Sequence, residues 1–173
     1  LGYFYNDGSG NITAVGNDDS GGVIQVVNFQ TGAVATGTTL TPDDDTIPQN
    51  TEGNEFMSLL ITPTNSNNIL IIDIVASTAA NSGTGGNVVL ALHQDSTSDA
   101  LAAIIDRSTN GFANQIRPIH MVHRMLAGTT SPTTFKVRIG DPNVGTLTFN
   151  GQSGSRLLGG VLASSITITE ISG

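Results

Sequence analysis

Short runs of alternating apolar and polar residues recur along the chain, separated by turn-forming residues. In residues 133–139, Phe135, Val137 and Ile139 alternate with polar side chains. A period of two is typical of a β-strand that rests one face on a core. By the same pattern or by short apolar runs, further strands are predicted at residues 23–28, 56–61, 69–77, 88–94, 115–126, 144–150 and 165–171.

One further run, residues 99–106, fits either a short helix capped by Ser96 or Asp99 or another strand. The total is roughly nine strands with no convincing long helix. This spacing predicts an all-β fold, an antiparallel jelly-roll β-sandwich.

The first 22 residues are predicted to stand apart from this fold. Aromatic residues precede Asn6-Asp7-Gly8, and Ile12 and Val15 follow it. Asp-Gly is typical of a tight hairpin turn, and the glycine-rich stretch 16–22 looks like a linker. We therefore predict an N-terminal hairpin or stalk segment at 1–22 and a jelly-roll head at 23–173. Since the chain begins with a leucine rather than Met, we expect upstream sequence to be missing.

The strand predicted at 69–77 breaks the one-sided pattern. Leu70, Ile72 and Ile74 point to one face, while the other face is also apolar apart from Asp73. A strand that is apolar on both faces needs cover on both. Another copy of the chain is the simplest cover, and a loop or the N-terminal segment folded over the strand is the alternative.

Composition and charge exclude several classes of function. Residues 1–106 carry twelve acids and no Lys or Arg, whereas residues 107–173 carry six bases and two acids. The two halves can meet within one subunit or across a subunit interface. The net charge of −8 argues against nucleic-acid binding. Cysteine is absent, which excludes disulfides and thiol chemistry, and no apolar run reaches the length of about 18 residues that a membrane helix needs.

No arrangement of residues indicates catalysis or a cofactor. The chain has no G-x-S-x-G motif, and the stretch GQSGSRLLGG at 151–160 lacks the Lys-Ser/Thr of a phosphate-binding loop. The acidic loop 41–55 fails the helix–loop–helix calcium pattern, because Pro48 and Asn54 stand where a glycine and a glutamate are required. An irregular calcium site stays open. We predict a protein that is not an enzyme, with no catalytic residue, cofactor or metal ligand to name.

The histidines invite a metal-site hypothesis that strand geometry weakens. His120 and His123 lie an odd number of residues apart, so they face opposite sides of a strand. His123 shares its side with Met121 and Met125. It fits a buried or interface histidine, or one of three copies that meet an ion or anion at a three-fold axis.

Several ordered stretches resemble a known family. ALHQDSTSDALAA (91–103), AGTTSPTTFKVRIG (127–140) and GTLTFNGQSGSRLLGGVLASSITITEI (145–171) resemble the C-terminal head domain of bacteriophage tail fibres and related virion surface proteins, and the upstream YNDGSGN resembles their stalk segments. The resemblance implies a homotrimeric jelly roll similar to the tumour-necrosis-factor and C1q heads, with the inner sheets packed around a three-fold axis. The predicted trimer-interface residues are Leu70, Ile72, Ile74, Met121, His123, Met125, Ile166 and Ile168.

The resemblance also implies the function that we expect. The chain is predicted to be a structural protein at the virion surface, a tail-fibre head that attaches as a trimer to a host surface protein or glycan. The alternative is a trimeric capsid decoration protein that binds the capsid protein and stabilises the phage shell. Neither function involves nucleic acid or membrane insertion. The candidate binding loops are 41–55, 81–87, 106–115 and 140–143, because loops usually carry binding residues.

Overall fold

The structure is a computed structural model, and it describes residues 4–6, 12–14, 22–82, 86–107, 114–143 and 145–173. In these residues the chain forms strands and one 3-10 turn, Leu158–Gly160. No helix in the described part is long and apolar enough to cross a membrane. The strands are β1 (Phe4–Asn6), β2 (Ile12–Ala14), β3 (Val23–Thr31), β4 (Ala35–Gly37), β5 (Asn54–Ile61), β6 (Ile69–Ser82), β7 (Val88–Gln94), β8 (Ala102–Asp106), β9 (Ile116–Leu126), β10 (Thr133–Gly140), β11 (Gly145–Phe149), β12 (Gly151–Gln152), β13 (Ser155–Arg156) and β14 (Ser164–Ile171).

Two antiparallel sheets pack face to face. The four-stranded sheet has the order β5-β10-β7-β8, and in the six-stranded sheet β3, β14, β6 and β9 lie side by side. Successive strands pass from one sheet to the other, as from β5 to β6, to β7, and from β8 to β9. This is the jelly roll that the sequence predicted.

The longest strand, β6, organises the six-stranded sheet. One of its edges pairs with β14 along Ile69–Val75 and then with β11 along Thr78–Ser82. Its other edge pairs with β9 from Ile69 to Ala79. We call the part paired with β14 the lower half of the sheet and the part paired with β11 the upper half.

The core between the sheets is aliphatic with a few aromatic rings. Inward side chains of β6 and β14 meet those of β7 and β10, and Leu90, Phe135 and Ile139 are fully buried. The rings of Phe56 and Phe149 stack at a centroid distance of 4.9 Å. The alternation predicted for residues 133–139 is confirmed, with Phe135, Val137 and Ile139 buried and their neighbours half-buried.

Other predictions meet the structure at particular places. Residues 102–106 form a strand, which settles the choice between helix and strand. Gly159 and Gly160 have φ values of 66° and 93° and form a tight bend, whereas β4, β12 and β13 had not been predicted. β1 pairs with β2 as in the expected hairpin, but its turn and parts of the loops 81–87 and 106–115 lie outside the described residues. The boundary at residue 22 stays a prediction.

The acidic and basic halves of the chain meet within one subunit. Three ion pairs each join an acid of residues 1–106 to an arginine of residues 107–173, namely Arg107–Asp43, Arg117–Asp106 and Arg138–Glu55. A contact between His120 and Asp73 joins the same two parts of the chain.

Candidate functional site

Most of the side chains predicted for the trimer interface lie in the core of a single chain. Met121 is 7% exposed, and five others are fully buried against the four-stranded sheet. These five are Leu70, Ile72, Ile74, Ile166 and Ile168. His123 and Met125 face the same side and are half-buried. Because a single chain already buries Met121 and these five residues, they offer almost no accessible surface to a second subunit. An interface formed by these strands would lie on their other side.

That other side is apolar and open in the lower half of the sheet, and we call it the open face. The β-ladder places Ile71, Thr169 and Arg124 side by side on it. Val122 is 54% exposed and Leu126 57% exposed. Its apolar members are Val23, Val26, Ile69, Ile71, Val75, Val122, Leu126 and Ile171. Sequence periodicity had found both faces of β6 but could not tell which one a single chain buries.

A small polar group interrupts the open face. The Nε2 atom of His120 lies 3.0 Å from the Oδ1 atom of Asp73, and both side chains are about half exposed. Arg124, four residues after His120 on β9, is also exposed and lies on the same side of the strand. The remaining polar residues on the open face, which come from β3 and β14, are uncharged. The ionisable side chains of the open face, as far as the structure describes it, are therefore Asp73, Arg124 and His120.

The upper half of the same side is covered by the chain itself. The hairpin of β12 and β13 lies over it, and the backbone N–H of Gly154 donates to Oγ1 of Thr148 at 3.0 Å. Asn114 donates to Oγ of Ser153 and so ties the hairpin to the start of β9. As a result Thr148 is 1% exposed and Ala79 is fully buried.

A buried carboxylate lies on the core side of the sheet, opposite the lower end of the open face. Glu170 faces the core, is fully buried, and accepts hydrogen bonds from Asn68, Gln25 and both the backbone N–H and the hydroxyl of Thr64. Burial alone raises the pKa of Glu170, but the hydrogen bonds from Asn68, Gln25 and Thr64 outweigh it and lower the pKa from 4.5 to about 2. The group therefore holds β3, β14 and the turn before β6 together as a charged acceptor.

The long loop between β4 and β5 covers part of the four-stranded sheet. Its backbone is fastened at Asn50, whose N–H donates to the carbonyl of Ser98 at 2.7 Å, and by Arg138, which donates to the carbonyls of Glu52 and Gly53. Under this cover His93 is 1% exposed, and neither ring nitrogen has a hydrogen-bond partner among the described residues. Burial and the charge of Arg138 lower the pKa of His93 against the opposing effect of Glu52, and so favour its neutral form.

The described residues bring no metal-binding set together. Within them, no group of three or more His, Asp or Glu side chains is placed to hold a metal ion. His120 and His123 face opposite sides of β9, as predicted from their spacing. His123 points to the core side rather than to the open face, which removes the reason to expect it at a symmetry axis.

Comparisons with known proteins identify a family. Residues 39–173 match the family model described as the Pgp3 C-terminal domain. No curated protein sequence matches the chain. The fold is similar to Eiger TNF from S. frugiperda, at 8% identity and a TM-score of 0.46, over 85% of this chain and 93% of that one. It is also similar to the EclA C-terminal domain, a sugar-binding protein, at 14% identity and a TM-score of 0.38, over 80% and 84% of the two chains.

The strands and antiparallel sheets of the structure agree with the predicted fold. The family that matches is named for Pgp3, and its description does not mention a bacteriophage. The phage assignment therefore rests on the sequence resemblance alone. Since the family model spans well over half of the sequence, this chain belongs to the Pgp3 C-terminal domain family.

Proposed function

We propose that this chain is a non-enzymatic surface head that assembles as a homotrimer through the open face and attaches to a surface molecule of a host cell. The tail-fibre head of a bacteriophage is the specific form that the sequence resemblance favours. The observation that carries the proposal is the open face itself, a sheet surface with eight aliphatic side chains that the described residues of the chain leave uncovered.

The composition of the open face makes an uncovered state unfavourable. Large exposed apolar patches on soluble proteins usually mark interaction sites. Burial of each half-exposed aliphatic side chain of the open face contributes about 1 kcal/mol. Burial of eight such side chains contributes about 8 kcal/mol of favourable free energy. This value lies within the range of the free-energy cost of association, about 4 to 15 kcal/mol. Self-association supplies matching apolar surface on the partner, and the stoichiometry of three comes from the resemblance to trimeric heads.

The oligomeric state tests the interface half of the proposal. We expect light scattering at micromolar concentration to give three times the chain mass of 17.8 kDa. Val122→Glu should dissociate the trimer, because it places a carboxylate in the apolar interface of every subunit. Leu60→Glu is the matched control, since Leu60 is 56% exposed but lies on β5 in the other sheet. A monomeric wild-type protein, or equal dissociation by both variants, would contradict this interface.

Attachment needs a separate measurement. The purified wild-type trimer should block adsorption of the particle that carries this protein when it is added at saturation before infection. The monomeric Val122→Glu variant should block less well, because it loses multivalent binding. Unchanged adsorption at saturating trimer would count against attachment. Labelling of intact virions then distinguishes a tail location from a shell location, and a shell location would favour the decoration protein.

A further inference from the structure

A groove runs along the edge of the four-stranded sheet at β8. Two adjoining cavities, of about 400 and 180 Å³, share Asp44, Thr46, Pro48 and Ala103 in their walls. One wall is the loop from Pro42 to Pro48. The other wall is β8 with the two residues before it, and its side chains are apolar, three of them alanines. We call this feature the β8 groove.

The strand that lines the groove has an unpaired edge. β8 ends the strand order of its sheet and pairs only with β7, and in the described residues no strand pairs with its other edge. Unpaired edges are usually protected by charged side chains, proline, a bulge or a covering loop. β8 reads AAIID, with no lysine, proline or bulge and with its one charged residue at its end, and the loop 42–48 leaves a groove beside it in which Ile104 is 37% exposed. Small alanine side chains leave room for another backbone to approach.

The rim of the groove carries uncompensated negative charge. Asp43 is paired with Arg107, but Asp44 and Asp45 have no cationic partner in the part of the chain that the structure describes. Asp44 accepts hydrogen bonds from the hydroxyl and the backbone N–H of Thr46, and these bonds lower its pKa. The rim is therefore anionic at neutral pH.

Both walls are held in place before any ligand binds. The N–H of Ala100 donates to the carbonyl of Pro48 at 2.9 Å, and Gln49 forms a β-bridge with Asp99 and donates to its carboxylate at 3.0 Å. These bonds connect the loop to the segment that leads into β8. A preformed groove avoids the entropic cost of ordering a loop on binding.

We propose that the β8 groove binds an extended, basic segment of a partner protein, which adds to the sheet as a strand along β8. The backbone of that segment would satisfy the free N–H and C=O groups of β8, and its lysine or arginine side chains would meet the acidic rim. Its apolar side chains would lie against the alanines. The inference deepens the proposed attachment function, on which it rests for its biological meaning, by naming where the head attaches and to what chemistry.

A pair of synthetic peptides tests the chemistry. The first is a fluorescent nine-residue peptide that alternates Lys with Val and Thr, and the second has Glu in place of each Lys. Fluorescence anisotropy with the wild-type trimer should show the Lys peptide binding at least tenfold more tightly than the Glu peptide. Hydrogen exchange should slow in residues 102–106 when the Lys peptide is bound. Equal binding of the two peptides, no binding of either, or binding without protection of β8 would overturn the proposal.

Variants locate the binding. The double variant Asp44→Asn and Asp45→Asn should weaken binding of the Lys peptide about fivefold, as expected for two partly exposed charge pairs, while the amide oxygen introduced at position 44 keeps an acceptor for Thr46. Ala103→Lys should weaken it more than tenfold, because it fills the groove with a like charge. Glu55→Gln is the control, since Glu55 lies on β5 at the opposite edge of the same sheet, and it should change nothing. Equal losses in the Asp44/Asp45 variant and the control would place the peptide elsewhere and overturn the proposal.

The outcome is separable from that of the proposed function. If the trimer forms and blocks adsorption but the Lys peptide does not bind at β8, this inference fails and the attachment function stands. If the peptide binds at β8 but the trimer never blocks adsorption, the groove stands as a peptide site and the attachment function fails. Competition with the Lys peptide by an uncharged oligosaccharide would overturn the choice of a protein partner.

Discussion

The two halves of the outward surface of the six-stranded sheet differ in how they are covered. In the upper half of the six-stranded sheet, the outward residues of β6 and β11 are small or hydroxylated, and the hairpin of β12 and β13 covers them. In the lower half the outward residues of β6 are aliphatic apart from Asp73, and nothing in the described residues covers them. Ala79 is fully buried, whereas Val75, four residues earlier on the same strand and the same side, is 37% exposed.

The difference shows what kind of cover each half requires. A polar surface needs hydrogen bonds, which a short hairpin supplies through Gly154 and Ser153. An aliphatic surface needs a large area of matching shape, which a second folded subunit supplies better than a loop. The outward side of β6 is therefore covered by its own chain in the upper half. In our proposal it is covered by another subunit in the lower half.

The two sides of the lower half can be separated by adjacent substitutions. Ile72→Ala should lower the free energy of unfolding by about 2 to 5 kcal/mol, because Ile72 is fully buried in the core and its loss leaves a cavity. Ile71→Ala should cost the dissociated chain less than about 1 kcal/mol, since Ile71 is only half-buried within one chain. Chemical denaturation of dilute, monomeric protein measures both values. Sedimentation at higher concentration should show weaker self-association for Ile71→Ala than for wild type, and equal costs for both variants in the monomer would contradict the assignment of the two sides.

The polar group behind the open face should dominate the acid sensitivity of the fold. The pKa of Glu170 is about 2 in the folded chain against an ordinary value of 4.5. A carboxyl group with a lowered pKa contributes stability that is present above pH 4.5 and is lost as the pH falls from there towards 2. Glu170→Gln should therefore cost about 1 to 3 kcal/mol at pH 7 and should flatten the decline of stability between pH 5 and 2.

Denaturation midpoints measured across that pH range decide this prediction. Glu55→Gln is again the matched control, because Glu55 is exposed and makes only a 3.7 Å ion pair with Arg138. It should keep the wild-type slope. If Glu170→Gln also kept the wild-type slope, the hydrogen bonds to Glu170 would not be the source of acid sensitivity.

The sequence predicted the strands well where one face alone is apolar, as in β10, and it predicted the jelly-roll class from their spacing. It could not choose between the two apolar faces of β6, because periodicity separates residues into two sets without telling which set one chain buries. Asp73 was the available signal, since a charge in the middle of a strand favours the side that a single chain leaves exposed. Glu170 gave the opposite signal in β14, where a charge shares its side with Ile166 and Ile168.

Asp73 lies on the exposed side of its strand and Glu170 on the buried side of its own, and the cause of this difference lies outside the local sequence. Glu170 is tolerated in the core because Gln25, Thr64 and Asn68 donate hydrogen bonds to it, and these residues are more than a hundred positions away in the sequence.

The hairpin of β12 and β13 was not predicted for a different reason. Its strands have two residues each, too few for any period to be visible. The β8 groove likewise depends on a loop crossing a distant strand.

A smaller effect than those of Ile72→Ala and Glu170→Gln is expected in the covered upper half. In Gly151→Ala the added Cβ atom would lie 2.2 Å from the carbonyl oxygen of Ser155 and 2.9 Å from Cγ2 of Val34, so the hairpin must shift. We expect a loss of about 1 kcal/mol in thermal unfolding, since a surface hairpin moves more easily than a packed core. Hydrogen exchange should rise in β11, beneath the hairpin. Light scattering should show the wild-type oligomer, because the uncovered surface is polar and offers little gain from association. A larger assembly would mean that the upper half is also an association surface, and that its hairpin serves to block it.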